Sequence, residues 1–324
     1  MTAKSAATRP NFKLRLLILA GLALAFSAAF LFYGLNFKIF DYAMSLRLPK
    51  LAAILLTAYC IGAATMVFQT IINNTIVTPC LLGMNSLYLL IHTSVVFFLG
   101  STSFFAANKY ASFFTDLGIM ASLATVLYGY LFKVTKYNVL YVLLMGTVMA
   151  TLFLSIQSTM VRMMDPNEYD ALLAKLVASF NNVNSDILLI AAVFVAALTL
   201  FYRKEIEILD VIALGRQQAI NLGVDYDRAI SRLLLGVVLF IAVATALVGP
   251  ISFLGLIIAN VARQLFKTYR HVYLTLASAL VGMIALVCGQ FIVERIFTLA
   301  IPISVFVNIA GGLYFLYLLL KDSR

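Results

Sequence analysis

Long uncharged runs alternate with short polar connectors along nearly the whole chain. The runs cover residues 16–35, 51–72, 81–107, 117–131, 137–161, 187–202, 233–262, 272–293 and 296–320. The hydrocarbon core of a bilayer takes ~20 apolar residues of α-helix, range ~17–25, so most of these runs cross a membrane once. The run 233–262 is too long for one crossing, and Gly249-Pro250 interrupts it. It predicts a span ending near Val248, followed by a short helix from about Phe253 to about Phe266. The pattern therefore predicts an all-α polytopic protein of about ten transmembrane helices, a single unit over residues 1–324.

Composition removes the soluble alternatives. The chain is 63% hydrophobic and 11% charged, with a mean hydropathy of +1.03, whereas globular domains carry ~25% charged residues. Residues 16–35 follow four basic residues, as a signal peptide would. The run is too long for the usual ~7–15-residue apolar region and no cleavage box follows it, so it reads as a retained first span. Cys60, Cys80 and Cys288 form no CxxC and lie in or beside apolar runs, where cysteine acts as a small hydrophobe.

Charge sets an expected orientation. With ten spans and a cytosolic N-terminus, both termini are cytosolic and sixteen of the 23 basic residues fall inside. Lys38, Arg47, Lys50, Lys109, Arg162, Lys175 and Arg295 are left outside. Acidic residues divide almost evenly, so the asymmetry follows the positive-inside rule. The net charge of +10 is thereby a matter of topology and implies no nucleic-acid partner.

Within this frame residues 203–232, RKEIEILDVIALGRQQAINLGVDYDRAISR, form a cytosolic interlude. Gly215 and Gly223 bracket a short helical segment, and glycine is the usual helix stop. Ala219 and Leu222, three apart, predict one small apolar face that a partner would cover. Outside, residues 162–186 form a long loop whose DPNEYDALLAKL portion predicts an interfacial helix.

Four segments carry a resemblance. Residues 46–86 read LRLPKLAAILLTAYCIGAATMVFQTIINNTIVTPCLLGMNS, residues 215–224 GRQQAINLGV, residues 249–263 GPISFLGLIIANVAR and residues 301–321 IPISVFVNIAGGLYFLYLLLK. Together they resemble, in order and spacing over about 280 residues, the FecCD-type permeases of bacterial ABC importers for iron–siderophores, haem and cobalamin. Arg47-Leu48-Pro49-Lys50, Gln69, Asn74, Pro79 and Leu82-Gly83 stand where the family has R-L-P-R, a glutamine and a proline-rich bend. Thr75 replaces the first proline of that bend, Arg216 an acidic residue, Ala259-Asn260 a Pro-His pair, Ser304 a glycine and Leu313 a proline.

The resemblance implies a type II importer permease with an inverted repeat, an expectation in line with faint similarity between residues 60–83 and 242–255. It implies that Gly215, Gln217, Ala219, Leu222 and Gly223 couple to ATPase subunits. It implies that Arg47, Lys50 and Arg295 dock an extracytoplasmic substrate-binding protein, although span-end basic residues commonly just snorkel. Pro49 would open the second span and aim both flanking cations outward. Gln69, Asn74, Pro79, Gly83, Gly249, Pro250 and Asn308 become candidates for pathway or bend positions. Expected partners are a second permease subunit (a different protein rather than a copy), two ATPases, the binding protein and the bilayer of the cytoplasmic membrane. Ferric siderophore is the expected cargo, with haem or cobalamin open within the family.

Catalysis finds no footing in the residues. No G-x-x-x-x-G-K-[ST] loop is present, so ATP and Mg belong to a partner and this chain is expected to bind no cofactor. His92 and His271 show no metal-ligand spacing. A secondary transporter would call for an in-membrane carboxylate, and the apolar runs show none.

Overall fold

The computed structural model describes residues 12–34, 38, 40–135, 139–181, 183–297 and 301–322. Residues 1–11 and 323–324, which hold part of the charge argument at each end of the chain, lie outside the described residues. In chain order the helices are α1 (Phe12–Phe32), α2 (Phe40–Ile72), α3 (Met84–Leu99), α4 (Phe104–Ala107), α5 (Lys109–Val134), α6 (Val139–Met163) and α7 (Pro166–Leu176). They continue as α8 (Ser185–Ile212), α9 (Arg216–Asn221), α10 (Tyr226–Val248), α11 (Leu254–Leu265), α12 (His271–Arg295) and α13 (Ile303–Asp322). Seven are long and apolar enough to cross a membrane, and α3, α11 and α13 are shorter apolar helices. Of the ten expected crossings, seven are met by helices of spanning length among the described residues; the other three fall on apolar helices shorter than a full crossing.

Polar residues start the helices where the chain leaves the apolar zone. Asn108 accepts from Tyr110 N and Ala111 N, Asn184 from Asp186 N and Ile187 N, and Asp165 from Asn167 N with Pro166 in the first turn. Each side chain satisfies amides that have no partner within the helix. The helix predicted outside, in DPNEYDALLAKL, is α7.

α2, α10 and α12 form the centre. α2 and α10 are enclosed on most sides, while α1 and α6 stay largely exposed. α2 and α12 run antiparallel through small residues at four-residue spacing. A Cβ on Gly62 would lie 3.0 Å from Ala279 N, and one on Gly282 would lie 3.3 Å from Ala58 Cβ. Ser278 Oγ donates to Gly62 O at 3.3 Å across this seam. Between apolar helices in lipid the drive is close packing and interhelical hydrogen bonding, which small residues permit.

Pro49 does not open α2. The helix begins at Phe40 and carries Pro49 in its interior. At 1.5 Å per residue α2 is ~50 Å long, well beyond a ~30 Å hydrocarbon core, so its first turns extend past the apolar zone. The uncharged run marked the apolar part of the helix and missed this extension.

Two bends break the helix pairs α2/α3 and α10/α11. In the first, Asn74 Oδ1 accepts from Ile76 N, Pro79 begins a tight turn through Leu82, and Gly83 takes a φ of 101°. In the second, Gly249 takes a φ of 92°, where an added Cβ would lie 2.9 Å from Ala178 Cα. Each bend is gripped by an asparagine from the helix that follows the other. Asn85 Nδ2 donates to Ser252 Oγ at 3.1 Å, and Asn260 Nδ2 donates to Thr75 O at 2.9 Å. This reciprocity is the physical form of the expected inverted repeat.

Gly249→Ala is expected to destabilise by ~1–3 kcal/mol, since it combines a left-handed φ with backbone contact. Gly118→Ala, mid-helix with open space around it, is expected to be neutral or slightly stabilising. Thermal unfolding midpoints in detergent should separate the two.

Candidate functional site

At one end of the bundle the chain projects a hook. α8 does not stop where the apolar run ends; it continues as helix to Ile212, and α10 starts at Tyr226. The expected thirty-residue interlude is therefore two helical extensions and a connector of residues 213–225 carrying α9. Arg232 on α10 meets Glu205 on α8 at 3.3 Å, and Asp225 caps α10 by accepting from Arg228 N. Gly215 opens α9 with φ 97°, Gly223 closes it with φ 84°, and Val224 N returns to Ala219 O at 3.0 Å.

Ala219 and Leu222 do not share a face. Ala219 is fully buried against its own chain, while Leu222 is 63% exposed. The apolar side chains offered outward are Leu214, Ile220 and Leu222, with Arg216 and Gln217 exposed beside them. Three-residue spacing on a single-turn helix leaves ~60° between side chains, and the return of the chain at Gly223 decides which one packs inward.

At the opposite end Arg47, Lys50 and Arg295 come together, brought there by α2 and α12. None is a loose surface charge. Arg47 Nη1 donates to Leu31 O at 2.6 Å and Tyr33 O at 3.0 Å, and Arg295 Nη2 donates to Tyr33 O at 2.9 Å. These carbonyls close α1, whose last C=O groups have no partner within the helix. The Arg295 guanidinium also lies over the Tyr33 ring, 5.6 Å from its centroid. Lys50 Nζ pairs with Glu294 at 2.6 Å. Sequence reasoning named the three cations and missed both Glu294 and the role of α1.

The pathway and bend candidates divide. Gln69 is buried and donates to Thr75 O at 2.6 Å; Asn74, Pro79 and Gly83 build the first bend, Gly249 and Pro250 the second. Asn308 is exposed on α13, in line with Val305, Ile309 and Leu313. It reaches neither bend.

One feature overturns the reading that no carboxylate lies within the membrane. Asp116 sits two turns into α5, 4% exposed, with both oxygens 3.1 Å from Nδ1 of His92, itself 1% exposed, on α3. The uncharged run beginning at residue 117 hid it, because helix boundaries extend past hydrophobic ones. Tyr88 stacks on the His92 ring, with the ring centroids 5.8 Å apart. The His92–Asp116 pair ties α3 to α5. Among the described residues no group of three or more His, Cys, Asp or Glu is arranged to hold a metal.

An all-helical bundle with two broken helix pairs, near residues 73–83 and 249–253, and a short hook at one end is the architecture of a polytopic membrane protein. Residues 16–321 match the FecCD transport family, and the chain belongs to that family. It is 43% identical over 312 residues to the petrobactin import system permease protein YclO of Bacillus subtilis (strain 168), covering 96% of this chain and 98% of that one. It is 31% identical to the petrobactin import system permease protein FatC of Bacillus anthracis, over 85% and 78% of the two chains. A solved chain from an inward-facing metal-chelate type ABC transporter superposes with a TM-score of 0.81, covering 96% of this chain and all of that one at 22% identity, which establishes the shared fold.

Removing one member of the buried pair should expose its worth. His92→Leu leaves the Asp116 carboxylate buried without its imidazole, and a loss of ~3–5 kcal/mol is expected. Combining it with Asp116→Leu should restore most of that loss. Thermal midpoints of the two singles and the double in detergent close the cycle.

Proposed function

We propose that this chain is the membrane-spanning permease subunit of an ATP-binding-cassette importer that carries ferric siderophores inward across the cytoplasmic membrane. The observation that carries the reading is the similarity, along nearly the full length of both chains, to a petrobactin permease. Ferric petrobactin is accordingly the first substrate to test. The chain contributes no catalysis; ATP and Mg are handled by a partner ATPase.

Three features support the rest of the assembly. The hook places Leu214, Ile220 and Leu222 outward on a stiff base, as a surface bearing on an ATPase would. Its orientation toward the cytosol rests on the charge asymmetry of the sequence. Exposed apolar faces on α6 (Leu144, Val148, Leu152) and α13 (Val305, Ile309, Leu313) suit lipid and a second permease subunit alike, and the α13 face is assigned to that subunit, a different protein in this reading. On the same α13 face Asn308 would be costly against lipid and gains a partner when covered. The Arg47–Lys50–Arg295 patch faces the side from which a binding protein delivers cargo.

In reconstituted vesicles, with the partner permease, the ATPase and the ferric-petrobactin binding protein of the same organism, uptake of 55Fe-petrobactin should depend on ATP. Absence of uptake while another chelate is carried would reassign the cargo. Leu222→Asp should lower uptake at least tenfold with the chain still inserted, since a charge enters an apolar contact; normal uptake would remove the hook from coupling. Single cysteines at Asn167 and Asp225, in a background lacking the native three, should label from opposite sides of the membrane. Labelling from one side would overturn the orientation.

A further inference from the structure

Glu294 lies among three cations at the end of α12. Lys50 Nζ donates to its Oε1 at 2.6 Å, and Gln290 Nε2, one turn earlier on α12, donates to the same oxygen at 2.9 Å. The same Gln290 amide nitrogen donates to Asn181 Oδ1 at 3.2 Å. A continuous chain Lys50–Glu294–Gln290–Asn181 thus joins the cationic patch to the segment between α7 and α8. Gln290 is 1% exposed, while the Lys50 and Glu294 side chains keep 16% and 18% of their surface open. The head of the chain is reachable from outside, and its middle is not.

The segment at its far end alternates, with Ala178 and Phe180 turned into the bundle and Val177 and Asn181 exposed. Ala178 and Phe180 are each 1% exposed, and Ser179 N donates to Val248 O at 2.9 Å beside the Gly249 bend. On one side lies a cavity of ≈ 210 Å³ bounded by Ala178, Phe180, Gln290 and Pro302. On the other lies one of ≈ 370 Å³ bounded by His92, Asp116, Ser179 and Gly249. The segment has room to shift either way once its tie to α12 loosens.

Resting on the reading of this chain as an importer permease, we propose that Lys50 is a docking cation held in reserve by Glu294. A carboxylate of the binding protein takes the place of Glu294, and the exchange reaches the 177–181 segment through Gln290 and Asn181. One carboxylate replaces another on the ammonium, so no charge is left uncompensated at Lys50. Glu294 turns toward Arg295 or solvent, its Oε1 leaves the Gln290 amide, and Gln290, no longer fixed by Glu294, is free to turn away from Asn181. Arg47 and Arg295 keep their contacts with α1 and supply the fixed positive field that draws an acidic partner in. Glu294 is in this view an internal occupant of the site, and it weakens docking for the sake of transmitting it.

The test uses the complete transporter in nanodiscs and the binding protein loaded with ferric petrobactin. Affinity is read by surface plasmon resonance and transmission by ATPase stimulation over the basal rate. Glu294→Gln keeps the shape and removes the competing charge, so binding should tighten three- to tenfold, more at low salt. Glu294→Asp, which keeps the charge and shortens its reach, should fall between and serves where the glutamine variant does not assemble. Gln290→Leu should leave affinity within twofold and cut stimulation at least threefold. Unchanged or weaker binding by Glu294→Gln or by Glu294→Asp overturns the exchange, and normal stimulation in Gln290→Leu overturns the relay. A wild-type transporter that captures no binding protein overturns the importer reading itself, and the outcomes are thereby kept apart.

Discussion

A polar group inside a bilayer has no water to turn to, and that constraint organises this protein. A continuous helix satisfies its own amides and carbonyls; a broken one does not. The chain breaks two of its central helix pairs nonetheless, at residues 73–83 and 249–253. It can do so because Asn260, Gln69 and Asn85 reach into the breaks with side-chain amides. The grip is reciprocal, and therefore each bend is stabilised by the helix that the other bend sends off. Neither pair can be repositioned without moving both.

That coupling fits a transporter better than a static barrier. The α2/α12 seam, built on Ala58, Gly62, Ser278 and Gly282, leaves no space for side-chain adjustment, so α2 and α12 move together or not at all. α8 is the element that touches both ends of the problem. It spans ~42 Å, begins just after the segment tied to Gln290, and ends at the hook. α8 thus lies as one continuous helix between the neighbourhood of residues 177–181 and α9, held to α10 by Arg232–Glu205 at the hook end.

Much of this was legible from residue type. Membrane crossing follows from run length: the nine uncharged runs, one of them split at Gly249-Pro250, correspond to seven helices of spanning length and three shorter apolar ones. The bends were legible at Pro79, Gly83 and Gly249-Pro250, where ring geometry and positive φ leave few alternatives. What stayed hidden was whatever depends on helices continuing past their apolar stretch. Asp116, the first turns of α2 and the last turns of α8 all lie in such extensions, where polar residues are helical but uncounted. Ala219 and Leu222 failed for a different reason: on one turn of helix, spacing does not say which residue faces the protein. Glu294 carried no motif, and its meaning arises from Lys50, 244 residues earlier.

Two departures from the family pattern meet at the first bend. Thr75 stands where the resembling permeases have a proline, and Asn260 stands where they have a histidine. A threonine leaves the backbone freer than a proline ring would. Yet the carbonyl of Thr75 accepts from Gln69 Nε2 and from Asn260 Nδ2 together, one from the helix before the bend and one from α11. Side-chain amides thus hold this carbonyl from both sides of the bend. The bond from Asn260 ties the geometry of the bend to the position of α11, whatever side chain stands at residue 75.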